Sequence, residues 1–137
     1  MNAKRKSASL RRLKTLVACG FFLAFGAALA CDTNSDEVAA DMTGGGDAAR
    51  GKAAIGRYGC AACHTIPGVA GADANVGPPL NRIGSRVFIG GVLQNTPDNM
   101  VRWLQNPPAI DEKTAMPNVG VTERDARDIA SYLYTLK

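Results

Sequence analysis

A Cys-x-x-Cys-His run at residues 60–64 has the most specific chemistry in this 137-residue chain. Two thiols at this spacing add across the two vinyl groups of a haem, and the next imidazole then reaches one face of the iron. Cys60 and Cys63 are therefore the predicted attachment sites, and His64 is the predicted axial ligand. The run predicts one covalently bound haem of the c type.

The same run has two other interpretations, a zinc half-site and a thioredoxin-type redox pair. A zinc site needs about four ligands, but the other two cysteines, Cys19 and Cys31, lie in the N-terminal leader region, and His64 is the only histidine. A thioredoxin-type pair lies between a strand and a helix, whereas the residues before Cys60 have a helical pattern. Both alternatives are weaker than haem attachment.

An iron bound by His64 has a second axial position, which methionine commonly fills in electron-transfer sites. Of the four methionines, Met1 belongs to the leader, and Met42 lies upstream of the haem motif. Met100 falls among apolar residues in a predicted helix, where core packing is the ordinary role. Met116 precedes a proline in a predicted loop, and we expect it to be the second ligand. The alternatives are Met100 and an open position.

The elements that position these residues begin after an export signal. Six basic residues precede residue 15, residues 15–30 are uncharged and mostly apolar, and residues 28–30 form an Ala-x-Ala cleavage pattern. We predict that residues 1–30 are a signal peptide or a signal anchor, and that the remainder of the chain is exported.

Cys31 follows the cleavage pattern directly. It is either incidental, beside the cleavage site of a soluble periplasmic protein, or the lipidated first residue of a bacterial lipoprotein. The preceding tripeptide fits a lipoprotein signal imperfectly, since Leu is the commoner residue three positions before the cysteine. A third alternative keeps the leader as an anchor, although residues 15–30 are fewer than the ~20 that usually span a bilayer. We expect a domain on the periplasmic side of a bacterial membrane, with Cys31 as the candidate lipid anchor.

The net charge of +4 comes from the leader. From Cys31 onward, ten basic residues stand against twelve acidic ones, a balance of −2. This leaves no basic stripe of the kind that binds nucleic acid. Residues 31–46 contain four acidic residues, three consecutive glycines and no aromatic residue. Their composition predicts a flexible acidic tether over 31–46, followed by a folded domain at 47–137.

Three helices are predicted in the folded domain from their start and stop signals. Asp47 is the N-cap of the first, which ends at Gly59 just before the haem motif. Thr96 and the proline after it start the second, and two prolines after Asn106 stop it. Thr122 starts the third, whose apolar residues recur at helical spacing. We predict an all-α fold in which three or more helices pack around one haem.

The order of these landmarks resembles that of class I monohaem cytochromes c. They are the CAACH run, a Gly-Pro-Pro-Leu segment at residues 77–80, Met116 with its proline, and a final helix that ends in Tyr-Leu-Tyr-Thr-Leu-Lys. The segments around Arg86, Asn95 and Trp103 look closer still to the cytochrome c domain fused to subunit II of some bacterial haem-copper oxidases. The resemblance covers residues 47–137 and implies the small class I cytochrome c fold.

The resemblance also implies roles for individual residues. Pro78 matches the proline whose carbonyl accepts the Nδ1 hydrogen of the haem histidine. Leu80 matches a residue that lines the haem face. Arg86 and Trp103 match residues near the haem propionates, and the alternatives are a solvated arginine and a core tryptophan. Haem attachment in these proteins takes place outside the cytoplasmic membrane, in agreement with the leader.

The expected function is single-electron transfer. With His64 and Met116 on the iron, no position is left for a substrate, so the protein is not expected to be an enzyme. The expected setting is a respiratory or photosynthetic chain, with a quinol-oxidising complex, a terminal oxidase or a reaction centre as partner. One alternative is a fixed cytochrome subunit of a larger membrane oxidoreductase complex. The other is a haem enzyme or ligand sensor, which is weaker because no second histidine is available as acid-base catalyst.

Overall fold

The computed structural model describes residues 33–137 and is mostly helical. Its helices are α1 (Thr33–Met42), α2 (Ala48–Arg57), α3 (Pro97–Gln105) and α4 (Glu123–Thr135). Single 3₁₀ turns lie at Cys60–Ala62, Ile83–Ser85 and Pro107–Ala109, and β1 (Phe88–Ile89) pairs with β2 (Leu93–Gln94) in an antiparallel hairpin. The predicted leader and Cys31 lie outside the described residues. The helical content confirms the predicted fold class, and the hairpin is an addition to it.

The three helices predicted from their start signals are all present. Asp47, Thr96 and Thr122 are the N-caps of α2, α3 and α4. The side chain of each accepts a hydrogen bond from the backbone N–H three residues later, at 2.8, 3.3 and 3.2 Å. These bonds satisfy N–H groups that have no partner within the helix, and they explain why the helices begin where they do.

Helices α2 and α4 cross in direct backbone contact. A Cβ atom on Gly51 of α2 would lie only 1.9 Å from the carbonyl oxygen of Asp128 in α4. Around this crossing, Ala54 and Ile55 of α2 and Ile129 of α4 are almost fully buried. Only a glycine at position 51 allows the two helices to approach so closely.

Helix α1 occupies most of the segment for which we predicted a flexible tether. Ala39 and Thr43 are buried at 2% and 1% exposure. The Thr43 hydroxyl donates to the Ala39 oxygen at 2.8 Å, and the Arg127 guanidinium of α4 donates to the Thr43 oxygen at 3.2 Å. The acidic, glycine-containing composition predicted a tether, but one buried alanine and one hydrogen bond to α4 hold a helix that is otherwise mostly exposed. Over residues 33–46 the tether prediction is therefore corrected to a packed helix and turn.

The apolar core is continuous through the described part of the chain. Its large members come from α2, α3, α4, β1 and the segments between them: Ile55, Ile66, Ile83, Ile89, Met100, Trp103, Leu104, Ile129, Leu133 and Tyr134. Within residues 33–137, no helix combines the length and apolar character needed to cross a membrane.

Asp128 of α4 connects this helix to the start of α2 through hydrogen bonds. The Nε and Nη2 atoms of Arg50 donate to its two carboxylate oxygens at 2.8 and 2.9 Å, and the backbone N–H of Asp47 donates to it at 2.8 Å. Asp128 is only 3% exposed. The hydrogen bonds from Arg50 hold the pKa of Asp128 below its ordinary value, although burial acts in the opposite direction.

Replacing Asp128 with Asn should lower the free energy of unfolding by about 1–3 kcal/mol at neutral pH, because a charge-assisted hydrogen-bond network is lost. The folded-state pKa lies below the unfolded value of about 3.9. The carboxylate therefore stabilises the fold fully above that value, and this contribution disappears as the pH falls through the folded pKa. Guanidinium unfolding of both proteins from neutral to acidic pH measures the difference.

A Glu123→Gln variant is the matched control, because Glu123 forms an exposed ion pair with Arg127 at 2.9 Å. Such a pair contributes under about 1 kcal/mol. An Asp128→Asn effect no larger than that of the control, or one that persists unchanged in strong acid, would contradict the prediction.

Candidate functional site

The Cys-x-x-Cys-His run forms one tight turn directly after α2. Gly59, with φ 70°, ends the helix in the left-handed conformation that favours glycine, and the 3₁₀ turn Cys60–Ala62 follows at once. The backbone N–H groups of Cys63 and His64 both donate to the Cys60 oxygen, at 3.2 and 3.1 Å. Cys60, Cys63 and His64 are thus presented together by a single turn.

No disulfide joins Cys60 to Cys63, so both sulfur atoms are available for attachment. Burial raises the pKa of the Cys60 thiol, and the neighbouring Cys63 adds to the increase. A zinc site would need further ligands beside these two cysteines and His64. Within residues 33–137, moreover, no three His, Cys, Asp or Glu side chains cluster as a metal site would require. The geometry therefore favours haem attachment over zinc binding.

His64 is held by the backbone that follows it. Its Nδ1 atom lies 2.8 Å from the Pro78 oxygen. A carbonyl can only accept, so Nδ1 carries the hydrogen and Nε2 keeps a free lone pair. A Cβ atom on Gly77 would lie 2.4 Å from His64 Cε1, so only glycine lets the backbone lie against the ring. The Pro78 oxygen is thus the hydrogen-bond acceptor for the His64 ring.

A cavity of about 530 Å³ opens beside this turn. Its wall contains every residue predicted for the site: Cys60, Cys63, His64, Pro78, Leu80, Arg86, Trp103 and Met116. Most of the remaining wall is apolar, with Ile55, Ile66, Leu104 and Leu133 among its members. The volume is within the ~300–1,000 Å³ usual for small-molecule sites. Two thiols, an imidazole with a free Nε2, apolar walls and thioethers fit a covalently held haem.

Two methionines reach the cavity from different elements. Met100 is 2% exposed, belongs to α3 and packs within the core. Met116 is half-buried in the loop before α4, and its backbone N–H donates to the Thr114 hydroxyl at 3.2 Å. Both side chains contribute to the cavity wall. Met116 is the one held by a loop, as we expect for a ligand to the second axial position.

Arg86 and Trp103 lie in the wall in different ways. The Nη2 atom of Arg86 donates to the Pro79 oxygen and, at 2.9 Å, to the Asn81 oxygen, so its side chain is anchored to the neighbouring backbone. Trp103 is 7% exposed. A Cβ atom on Gly90 of the hairpin would lie 2.7 Å from its ring, which shows how closely the hairpin covers Trp103.

Sequence reasoning missed the contribution of Asn95. Its side-chain amide donates to the Ile83 and Arg86 oxygens, both at 2.8 Å, and its oxygen accepts from the Tyr134 hydroxyl at 2.8 Å. In the sequence, Asn95 stands out only as part of the segment before α3. A contact with Tyr134, thirty-nine positions away, leaves no local signal in the sequence.

Comparisons with known proteins match the part of the chain that forms this site. The family model described as cytochrome c matches residues 48–137. The chain is 30% identical over 79 residues to a protein called cytochrome c oxidase subunit 2 from Alkalihalophilus pseudofirmus, a match covering 57% of this chain and 22% of that protein. The match thus spans about a fifth of the curated relative. No solved structure matched significantly.

Replacing Gly77 with Ala should reduce the fraction of chains that carry haem severalfold, because the added methyl group collides with the His64 ring. The matched control is Gly56→Ala, since a Cβ atom at Gly56 meets nothing within 4 Å. In helix α2 that control should keep full haem content and gain up to about 1 kcal/mol of stability. Haem absorbance per chain after alkaline pyridine treatment measures the difference. Wild-type haem content in the Gly77→Ala protein would contradict the assignment.

Proposed function

Since the chain belongs to the cytochrome c family, we propose that it is a monohaem electron carrier whose iron is bound by His64 and Met116. The haem is attached through Cys60 and Cys63. The observation that carries the proposal is that one cavity contains all eight of the residues selected from the sequence. When bound, the haem supplies a one-electron couple between Fe(III) and Fe(II).

The tautomer of His64 supports its role as a ligand. Because Nδ1 donates to the Pro78 oxygen at 2.8 Å, the free lone pair is on Nε2, the atom that binds iron. The same bond orients the ring and raises its basicity. Gly77 closes the space beside the ring. The turn and the loop around residue 78 therefore fix the orientation of the His64 ring.

Met116 is the proposed second ligand because of where its backbone lies. The loop that carries it is fixed on one side by the bond to Thr114 and on the other by the following proline. Met100 belongs to a helix whose inner face packs into the core, and moving its thioether would disturb that packing. A thioether ligand favours the reduced state and raises the reduction potential.

Two protein side chains on the iron leave no position for a substrate, so we infer electron transfer rather than catalysis. The only histidine of the chain is His64, so no second imidazole is available for acid-base chemistry at the cavity. The cavity is partly open to solvent, and two small residues, Ala61 and Ala62, lie between the attachment cysteines in the sequence. The complexes in which redox proteins exchange electrons bury small interfaces and are transient.

A fixed cytochrome subunit of a larger membrane oxidoreductase is the second candidate function. The observation that favours it is the similarity to a protein named as a subunit of cytochrome c oxidase.

Under either function, we propose that the domain is exported to the periplasmic side of a bacterial membrane and held there by a lipid on Cys31 or by the leader. Its redox partners are then a quinol-oxidising complex, a terminal oxidase or a reaction centre in the same membrane.

The oxidised protein should show the far-red absorption band that an iron–thioether bond produces. In Met116→Ala the band should disappear and the reduction potential should fall, because the electron-poor sulfur ligand is gone. In the matched variant Met100→Ala the band should persist while the protein loses about 2–5 kcal/mol of stability from the core cavity. If only Met100→Ala abolishes the band, the ligand assignment is wrong.

The mature N-terminus tests the proposed anchor. Mass spectrometry of protein extracted from membranes should find Cys31 as the first residue, with the mass of attached acyl chains. A Cys31→Ser variant should then leave the membrane fraction. An unmodified first residue at or after position 31 would overturn lipid attachment, and an intact leader would assign the anchor to residues 1–30.

A further inference from the structure

Asn95 joins three segments that surround the cavity. Its Nδ2 atom donates both hydrogens, one to the Ile83 oxygen and one to the Arg86 oxygen, each at 2.8 Å. Its Oδ1 atom accepts from the Tyr134 hydroxyl at 2.8 Å. Since the two carbonyls can only accept, the orientation of the amide is fixed by its partners. Asn95 thus ties the turn Ile83–Ser85 and the residue after it to the final helix.

The final helix provides a rigid support for this contact. Tyr134 is 3% exposed, and burial raises its pKa to about 12, so its hydroxyl is a donor throughout the neutral range. The backbone N–H of Gly84 donates to the Leu136 oxygen at 3.0 Å. A Cβ atom on Gly84 would lie 2.9 Å from the backbone carbonyl oxygen of Tyr134. The turn and the end of α4 are therefore in close backbone contact as well as hydrogen-bonded.

Arg86 extends the connection to the loop beside His64. Asn95 holds the Arg86 carbonyl, and the Arg86 guanidinium donates in turn to the Pro79 and Asn81 oxygens. Pro79 directly follows Pro78, whose oxygen accepts the His64 hydrogen. A chain of hydrogen bonds and short covalent segments thus runs from Tyr134, through Asn95 and Arg86, to the carbonyl that orients His64.

We propose that Asn95 is a positioning residue for His64. One of its amide hydrogens binds the backbone oxygen of Arg86 and so fixes that residue. The Arg86 guanidinium in turn binds the backbone oxygens of Pro79 and Asn81. These bonds fix the loop that contains the Pro78 oxygen, to which His64 Nδ1–H donates. Losing the amide donors loosens that loop and weakens the bond from His64 to Pro78. This inference rests on the proposed function, because it concerns the same axial ligand.

The expected consequence is a higher reduction potential. A strong hydrogen bond from Nδ1–H makes the imidazole a better electron donor and favours the oxidised iron. When the bond weakens, this preference declines and the potential rises. The exchange of the Nδ1 hydrogen with solvent should also accelerate, since the bond that protects it opens more often.

The test uses the complete haem-loaded protein with Asn95→Ser, which shortens the side chain and removes both amide donors. We expect the potential to rise and the His64 Nδ1 hydrogen, followed by NMR in the reduced protein, to exchange roughly five- to tenfold faster. Tyr134→Phe removes only the hydroxyl that holds Asn95 and should move both quantities in the same direction by less. Should Asn95→Ser fail to accumulate, Tyr134→Phe alone decides.

Val101→Ala is the matched control for a general loss of stability, because Val101 is an uncharged core residue, 5% exposed, and is absent from the cavity wall. It should lower stability without changing the potential or the exchange rate. Wild-type values in both Asn95→Ser and Tyr134→Phe would overturn the proposal, as would an equal change in Val101→Ala. A far-red band in the unmodified protein together with unresponsive variants would overturn this inference and leave the proposed function intact.

Discussion

The backbone contact between α2 and α4 at Gly51 is the constraint on which the remaining structure depends. With a carbonyl of α4 only 1.9 Å from the position of an added Cβ atom, the crossing has no room for a side chain at position 51 and keeps the two backbones in contact. Helix α2 ends at the haem motif, and Ile129 and Leu133 of α4 line the cavity. The crossing therefore sets both the position of the attachment turn and one wall of the site. The hydrogen bonds of Asp128 hold this crossing at the start of α2.

The cavity also explains how so short a domain is stabilised. Roughly ninety residues are near the limit for one hydrophobic core, and here the buried side chains form walls around a space of about 530 Å³. A haem in that space supplies apolar surface that the side chains alone do not. The proposed function rests on the side chains in the cavity wall. These include the His64 imidazole, oriented by the Pro78 oxygen, and the Met116 thioether, and the chain has no second histidine.

Much of this organisation could be predicted because its signals are local. The caps Asp47, Thr96 and Thr122 each act within three residues, and the haem motif is five consecutive residues, so sequence alone located helices α2, α3 and α4 and the attachment turn. Helix α1 was missed because its packing depends on Arg127, eighty-four positions from Thr43. The hairpin was missed because two-residue strands have no periodicity to read. The bonds of Asn95 were missed because only the folded chain brings Tyr134 and Arg86 to it.

X-ray absorption at the iron edge of the purified protein is the most direct test of the central claim, that His64 and Met116 close both axial positions of a single haem. The account predicts one haem per chain, with five nitrogen neighbours and one sulfur neighbour around the iron in both oxidation states. An iron with no sulfur neighbour, or one that is five-coordinate at rest, would contradict it.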